Sequence, residues 1–140
     1  MAGWATLDVA GTFLTALLLG GMAFHSFVMT PLVFAKMERE AAGAFLRESF
    51  AIYYKVMAGV SILAALALWQ RPEGAALAAV AVLFAGLIVF LLPAAARTRE
   101  GRDAGVPRAT RTFKALHRLS VLINLLQIIV AAMVLVRLAA

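Results

Sequence analysis

The chain has 140 residues, of which 64% are hydrophobic and only 14% are charged, too few polar side chains for a water-soluble domain of this length. It has no cysteine, which excludes disulfides and thiolate metal sites, and its net charge of +6 sits beside the apolar runs, a distribution typical of membrane topology rather than of nucleic-acid binding. The composition therefore predicts an integral membrane protein. Its N-terminus lacks the basic region of a cleaved leader, so the first apolar run is predicted to be a mature helix.

The first apolar run predicts a transmembrane helix over about residues 7–30. One histidine, His25, interrupts it. Gly11, Gly21 and His25 share one helical face, and small residues on a membrane helix let a neighbour approach closely. This face is therefore predicted to pack against protein. Pro31 is predicted to end the helix, because the residue before a proline disfavours α geometry.

The middle of the chain predicts two more helices and two polar segments. A charged connector is predicted over residues 36–48, with a second half that lies in the membrane interface, and helix 2 over about 49–69. A tight turn at residues 70–74, marked by proline and glycine, leads to helix 3 over about 75–96. The arginine-rich residues 97–111 are predicted to form a flexible loop.

Tyr53 and Tyr54 near one end of helix 2 resemble the aromatic residues that mark the membrane interface. Lys55 follows them and is predicted to extend its ammonium group toward the interface. It is also a candidate to bind the carboxylate or propionate of a ligand.

The last stretch predicts helix 4 over about residues 112–138. It contains eighteen residues without a charge, from Leu119 to Val136. Such a run covers about 27 Å of helix, close to the roughly 30 Å hydrocarbon core. Its polar residues share one face because they are spaced 3, 4 and 3 apart: His117, Ser120, Asn124 and Gln127. A polar stripe on a membrane helix is expected to face other helices or a cavity.

Four spans with short connectors predict an all-α, up-down four-helix bundle in a single domain, residues 1–140. Side B denotes the end of the bundle that holds the 1–2 and 3–4 connectors, and side A denotes the other end. Side B carries eleven lysines and arginines, whereas side A carries only Arg71 and Arg137. The positive-inside rule therefore predicts cytoplasmic connectors on side B, both termini outside, and a location in the bacterial inner membrane.

The two histidines of the chain, His25 and His117, are predicted to lie in the same half of the membrane. Their depths match to within a turn if helix 1 leaves the hydrocarbon near residue 28, and His25 lies about 10 Å deeper if it continues to residue 35. Two neutral imidazoles that face one interior are candidate axial ligands of haem b, or ligands of a metal such as copper. Ser120, Asn124 and Gln127 are candidates for hydrogen bonds around that cofactor.

Other functions remain open from the residues alone. Both histidines can be structural, or one can serve as a single ligand or in proton transfer, while Asn124 and Gln127 can join helices to one another. The chain can also be a non-catalytic accessory subunit that packs the glycine face of helix 1 against a membrane-protein partner. A third function is transport of, or tolerance to, a small solute or metal, for which four spans require a homo-oligomer. The sequence has no phosphate loop, serine triad or carboxylate dyad, and leaves enzymatic activity undecided.

Three stretches resemble a family of four-helix membrane proteins of unknown function that includes the eukaryotic transmembrane protein 205: GGMAFHSFVMTPLVF, AAGAFLRESFAIYY and FKALHRLSVLINLL. More distantly, the four spans, the glycine-rich first helix and a pattern in helix 2 give a layout that is similar to the HemJ-type protoporphyrinogen oxidases and the copper-resistance D proteins. The pattern consists of Gly43, Phe45, Tyr54, Ile62, Leu63, Leu68 and Trp69. The HemJ resemblance implies haem bound by a histidine early in helix 1 and a functional lysine in helix 3. The start of helix 1 in this chain has Thr6, Leu7 and Asp8 instead of a histidine, and helix 3 has no lysine. The resemblance therefore implies haem only at other positions.

Overall fold

The structure, a computed structural model, describes residues 2–140 and consists of helices joined by short connectors, with no strand in that range. Four helical spans are each long and apolar enough to cross a membrane. They are span 1, made of α1 (Ala2–Phe24), a π-helical turn (His25–Met29) and α2 (Thr30–Lys36); span 2, α3 (Arg39–Ala67); span 3, made of α4 (Pro72–Gly86), a second π-helical turn (Leu87–Leu91) and α5 (Leu92–Asp103); and span 4, α6 (Pro107–Ala139). The predicted all-α four-helix membrane bundle is confirmed.

The spans pack in a ring, in which span 1 contacts spans 2 and 4, and span 3 contacts the same two. The interior is filled by apolar side chains such as Leu18, Met22 and Phe84, each fully buried. The glycine face of span 1 packs against protein, as predicted, and the protein is span 2 of the same chain. A Cβ atom on Gly11 would collide with the Leu68 side chain, and one on Gly21 would lie 2.9 Å from Met57 Cε. These two glycines are therefore not available to an external partner, which corrects the accessory hypothesis in the form that uses this face.

Pro31 does not end the first helix, contrary to the sequence prediction, because a π-helical turn precedes it. Thr30 directs both its backbone N–H and its hydroxyl to the carbonyl of His25, the hydroxyl at 2.9 Å. Span 3 repeats the arrangement, with Pro93 two residues after its own π-helical turn. A local π adjustment is one way in which membrane helices re-satisfy the backbone groups that a proline leaves free.

The predicted polar loop over residues 97–111 is also wrong, since only residues 104–106 separate α5 from α6. Gly105 has a φ of 81° and ends α5, with hydrogen bonds of 3.0 Å from Gly105 and Val106 N–H to the carbonyls of Arg102 and Gly101. Past this turn the two helices pack closely, because a Cβ on Gly101 would lie 2.6 Å from that of Ala109. Spans 3 and 4 thus end in a helical hairpin on side B.

The predicted 36–48 connector is also largely helical, since only two residues separate span 1 from span 2. All four spans therefore extend further toward side B than their predicted bounds. Their side B ends carry most of the charge, but alanine, arginine and glutamate are good helix formers and keep the helices intact in water.

Two ion pairs lie at the side A end, one between span 1 and the 2–3 connection and one between spans 3 and 4. Arg71 donates two hydrogen bonds to the Asp8 carboxylate, at 2.9 and 2.6 Å. Arg137 lies 3.1 Å from the carboxylate of Glu73, a nearly buried side chain. Both cations of side A are therefore paired with an acid. Side B has eleven cations and five acids, so it holds the whole net charge of +6.

Candidate functional site

A buried polar cluster lies in the interior of the bundle, and His25 is at its centre. The imidazole starts the π-helical turn of span 1 and is 9% exposed. Its Nε2 lies 3.1 Å from the Ser49 hydroxyl on span 2. Its ring stacks on Tyr53 with centroids 4.1 Å apart, and Phe50 meets it edge-on at 4.8 Å. Contacts on two sides and one hydrogen bond therefore fix the orientation of the ring.

Tyr53 connects the histidine to span 4. Ser49 and Tyr53 are four residues apart, so one face of span 2 presents both to His25. The Tyr53 hydroxyl donates a hydrogen bond of 2.7 Å to Asn124 Oδ1. Asn124 Nδ2 donates in turn to the Ser26 hydroxyl, also at 2.7 Å. This chain of hydrogen bonds joins spans 1, 2 and 4 at one depth.

Gln127 extends the connection to span 3. Its side chain is fully buried, and Nε2 donates to the carbonyl of Val80 at 3.2 Å. Of the four polar residues on span 4 that were predicted to face inward, Asn124 and Gln127 do so and join helices to one another, whereas His117 is exposed. Two buried side-chain atoms of the described residues have no hydrogen-bond partner, namely His25 Nδ1 and Gln127 Oε1. Buried polar atoms are nearly always paired, so each of these two atoms calls for an explanation.

His117 lies apart from this cluster. Its side chain is exposed, and its backbone carbonyl accepts a hydrogen bond of 2.7 Å from the Ser120 hydroxyl. The Asn124–Ser26 bond sets the register of span 4 against span 1. Since His117 is seven residues before Asn124, it lies about 10 Å closer to side B than the cluster. The structure therefore does not bring the two histidines together.

The offset follows from the length of span 1. Of the two depths considered from the sequence, the structure has the one in which helix 1 continues past residue 28, and it reaches Lys36. His25 consequently lies well inside the bundle, whereas His117 lies near the basic residues at the side B end of span 4.

The other predicted site residues are peripheral to the cluster. Ser120 is partly buried and lies beside Tyr54, and Lys55 is exposed on the outer surface of span 2. Among residues 2–140, no three histidine, cysteine or acidic side chains form a group that could hold a metal ion. The predicted metal pair, His25 and His117, is not assembled in this structure.

Sequence reasoning missed the role of Tyr53, which is 6% exposed and not an interfacial residue. Span 2 begins at Arg39, ten residues before its predicted start, so Tyr53 falls near its middle. The i, i+4 spacing of Ser49 and Tyr53 and the serine next to His25 were the available signals. They predict a polar face on span 2 only once the helix is known to extend that far.

Four apolar helices around a buried polar cluster define a small polytopic membrane protein. The chain belongs to the family described as a domain of unknown function, DUF4149, whose model matches residues 13–104. The match covers most of span 1 and all of spans 2 and 3, and so includes His25 and Tyr53. The chain matches no curated protein and no solved structure. Its resemblances to transmembrane protein 205 and to the HemJ and copper-resistance D proteins stay predictions.

Proposed function

We propose that this protein binds a flat, lipid-soluble ligand, haem or another porphyrin, in the half of the bundle nearer side B, through His25. The observation that carries the proposal is the buried imidazole whose Nδ1 has no partner among the described residues. Histidine is rare in membrane spans and marks a functional site by default. Its position at the start of a π-helical turn points the same way, because such turns are frequent at functional sites.

The surroundings of His25 suit such a ligand. A neutral imidazole nitrogen is a common axial ligand of haem iron. Phe50, Tyr53, Tyr54 and Phe84 form an aromatic cluster beside it, with centroids 5.5 to 6.2 Å apart. Aromatic rings of this kind pack on a conjugated macrocycle. The basic side B end would attract its propionates.

The proposal uses His25 as the single ligand from the interior. The predicted pair of axial ligands would require His117 to move by about two helical turns along span 4. A ligand that enters at Nδ1 must separate span 1 from Phe50 and Tyr53, which now pack on both sides of the ring.

The test is a titration of the purified protein with haemin, followed by its visible spectrum. Wild type and His117→Ala are expected to bind one haemin per chain with a shifted Soret band, and His25→Ala is expected to lose that shift. His117→Ala is the matched control, because it removes an identical side chain at an exposed position. Metal-free protoporphyrin, titrated in parallel, separates packing of the ring from ligation of the iron.

Loss of the shift in both variants would place the two histidines on one iron, as the sequence predicts. A wild type that produces no shift with haemin would overturn the proposal.

A second candidate function is that of a non-catalytic accessory subunit of a larger membrane assembly. The specific observation in its favour is that the hydrogen bonds of the cluster join all four spans. In this case the cluster holds the bundle in register, and the chain acts by association. It predicts a colourless protein that does not bind haemin and that elutes as a defined larger particle from membranes solubilised in mild detergent.

We further propose that side B faces the cytoplasm of a bacterial inner membrane, because it holds the entire net positive charge. The absence of cysteine allows a direct test with single-cysteine variants. Gln70→Cys, in the side A turn, is expected to react with a membrane-impermeant maleimide in intact cells. Ala104→Cys, in the side B turn, is expected to react only after permeabilisation. The reverse pattern would contradict the proposed orientation.

A further inference from the structure

An apolar groove runs along the outer surface of the bundle between spans 3 and 4, in the half nearer side B. Its volume is about 530 Å³, and every residue that lines it is apolar. Gly86, Phe90 and Ala94 line it from span 3, and Leu116, Leu119 and Ile123 from span 4. The π-helical turn Leu87–Leu91 lies along its length. The groove opens outward, so in a membrane it faces lipid.

The depth of the groove can be read from the ion pair at the opposite end. Glu73 pairs with Arg137 at side A, and about twenty residues of helix cross the hydrocarbon core. Counted from Glu73, the core ends near Leu92. Ala94, at the end of the groove, therefore lies where acyl chains meet headgroups, and Arg97 lies about one turn further out.

Cations continue the two groove faces beyond that level. Arg97 is three residues after Ala94, and Arg108 is eight residues before Leu116, spacings that return to the same side of a helix. Both arginines are exposed. Residues 97–118 carry seven cations and only two acids, the cations being Arg97, Arg99, Arg102, Arg108, Arg111, Lys114 and Arg118.

We propose that this groove binds an acyl chain of an anionic phospholipid whose phosphate contacts Arg97 and Arg108. An apolar slot in the hydrocarbon that ends under exposed guanidinium groups matches both parts of one amphipathic molecule. Guanidinium groups form strong, charge-assisted hydrogen bonds with phosphate. Basic sites between membrane helices bind anionic headgroups in the same way. The charge at the mouth favours a lipid over an apolar helix, because a helix would not neutralise it.

The test measures which lipid remains on the protein. The full chain is reconstituted in vesicles with equal amounts of phosphatidylglycerol and phosphatidylcholine of the same acyl chains, then solubilised and weighed by native mass spectrometry. The groove is filled by Gly86→Leu, which is sterically allowed because a Cβ at Gly86 has no atom within 4 Å. Gly59→Leu is the matched control, since Gly59 is equally open on the outer surface of span 2.

A charge variant tests the headgroup contact. Arg97→Gln with Arg108→Gln removes two exposed cations beyond the side B end of the groove, and Lys36→Gln with Arg39→Gln removes two exposed side B cations elsewhere. Soluble glycerol phosphate, added in excess, tests whether the headgroup binds without its chain.

Wild type and both controls are expected to retain phosphatidylglycerol in preference to phosphatidylcholine. The Arg97/Arg108 variant is expected to lower that retention roughly tenfold or more, given the contributions of two cations near a membrane surface. Gly86→Leu is expected to lower it as well, because the added side chain occupies the groove. Soluble glycerol phosphate is expected to displace nothing. If Gly86→Leu does not fold, the two charge variants decide the outcome alone.

Equal retention of the two lipids by wild type would overturn the proposal. So would equal losses in the two charge variants, which would indicate only a general effect of net charge. Displacement by glycerol phosphate would overturn the acyl-chain contact.

Discussion

Gly74→Ala should destabilise the bundle by about 1–3 kcal/mol, the range for forcing extra atoms into packed structure. Gly74 is buried in the first turn of span 3, beside the connection to span 2. A Cβ there would collide with the Leu68 carbonyl oxygen and would lie 2.8 Å from the Leu68 carbonyl carbon and 3.1 Å from Ala65 O. These are backbone atoms and cannot rotate away as a side chain can. The measurement is the free energy of unfolding in mixed micelles with increasing denaturing detergent.

The control for this prediction is Gly59→Ala, the same substitution on the outer surface of span 2, where nothing lies within 4 Å of the added Cβ. Alanine is a better helix former than glycine, so this variant should be unchanged or stabilised by about 0.5–1 kcal/mol. If both variants unfold at the wild-type detergent concentration, Gly74 does not pack closely against the Leu68 backbone.

Tyr53→Ala is expected to have the largest effect of any substitution in the polar cluster, on the order of 3 kcal/mol. Tyr53 is 6% exposed, stacks on His25 and hydrogen-bonds to Asn124. Its removal leaves a cavity beside the imidazole and an unpaired amide on span 4. Tyr53→Phe keeps the ring and loses only the hydroxyl, so it should cost clearly less.

A double-mutant cycle isolates the hydrogen bond between spans 2 and 4. Tyr53→Phe and Asn124→Ala are measured singly and together, by the same unfolding assay. Hydrogen bonds between membrane helices typically couple by about 0.6 kcal/mol, with a maximum near 1.7. A coupling energy indistinguishable from zero would mean that the Tyr53–Asn124 contact does not hold these spans together.

The architecture was predictable because each span has its own local signal. Charge-free runs of membrane length indicated the four spans, and the spacing of Gly11, Gly21 and His25 indicated the buried face of span 1. The spacing of Asn124 and Gln127 likewise predicted that they face inward. These inferences depend only on helical periodicity, which is a property of neighbouring residues.

The ends of the helices were not predictable from the same patterns. From the sequence, the charged residues beyond the hydrocarbon core were predicted to form a loop. Residues 97–103 and 107–111 are nevertheless helical, because each segment packs on the other. Phe113 contributes to this packing, since the guanidinium groups of Arg102 and Arg99 lie 4.4 and 5.6 Å from its ring. Pro31 read as a break because the π-helical turn before it has no sequence signature.

The predicted pairing of His25 with His117 depended on a quantity that periodicity does not contain. The axial register of two packed helices determines which of their residues lie at the same depth. The Asn124–Ser26 hydrogen bond sets this register between spans 4 and 1. Periodicity predicts which side of a helix a residue occupies, but not how far along the neighbouring helix its partner lies. Periodicity was therefore enough to predict that Asn124 faces inward, but it was not enough to predict that the two histidines lie apart.

The central claim is that His25 has one ring nitrogen hydrogen-bonded to Ser49 and the other buried without a partner, available to a ligand once span 1 separates from Phe50 and Tyr53. The chain contains two histidines, so ¹⁵N labelling of the rings in bilayers yields signals from two imidazoles, which His117→Ala assigns. Ser49→Ala is expected to shift the Nε2 signal of His25, and zinc protoporphyrin, which accepts one axial nitrogen, is expected to shift its Nδ1 signal. The signals of His117 should not move in either case. A His25 whose signals match those of the exposed His117 and respond to neither change would contradict the account.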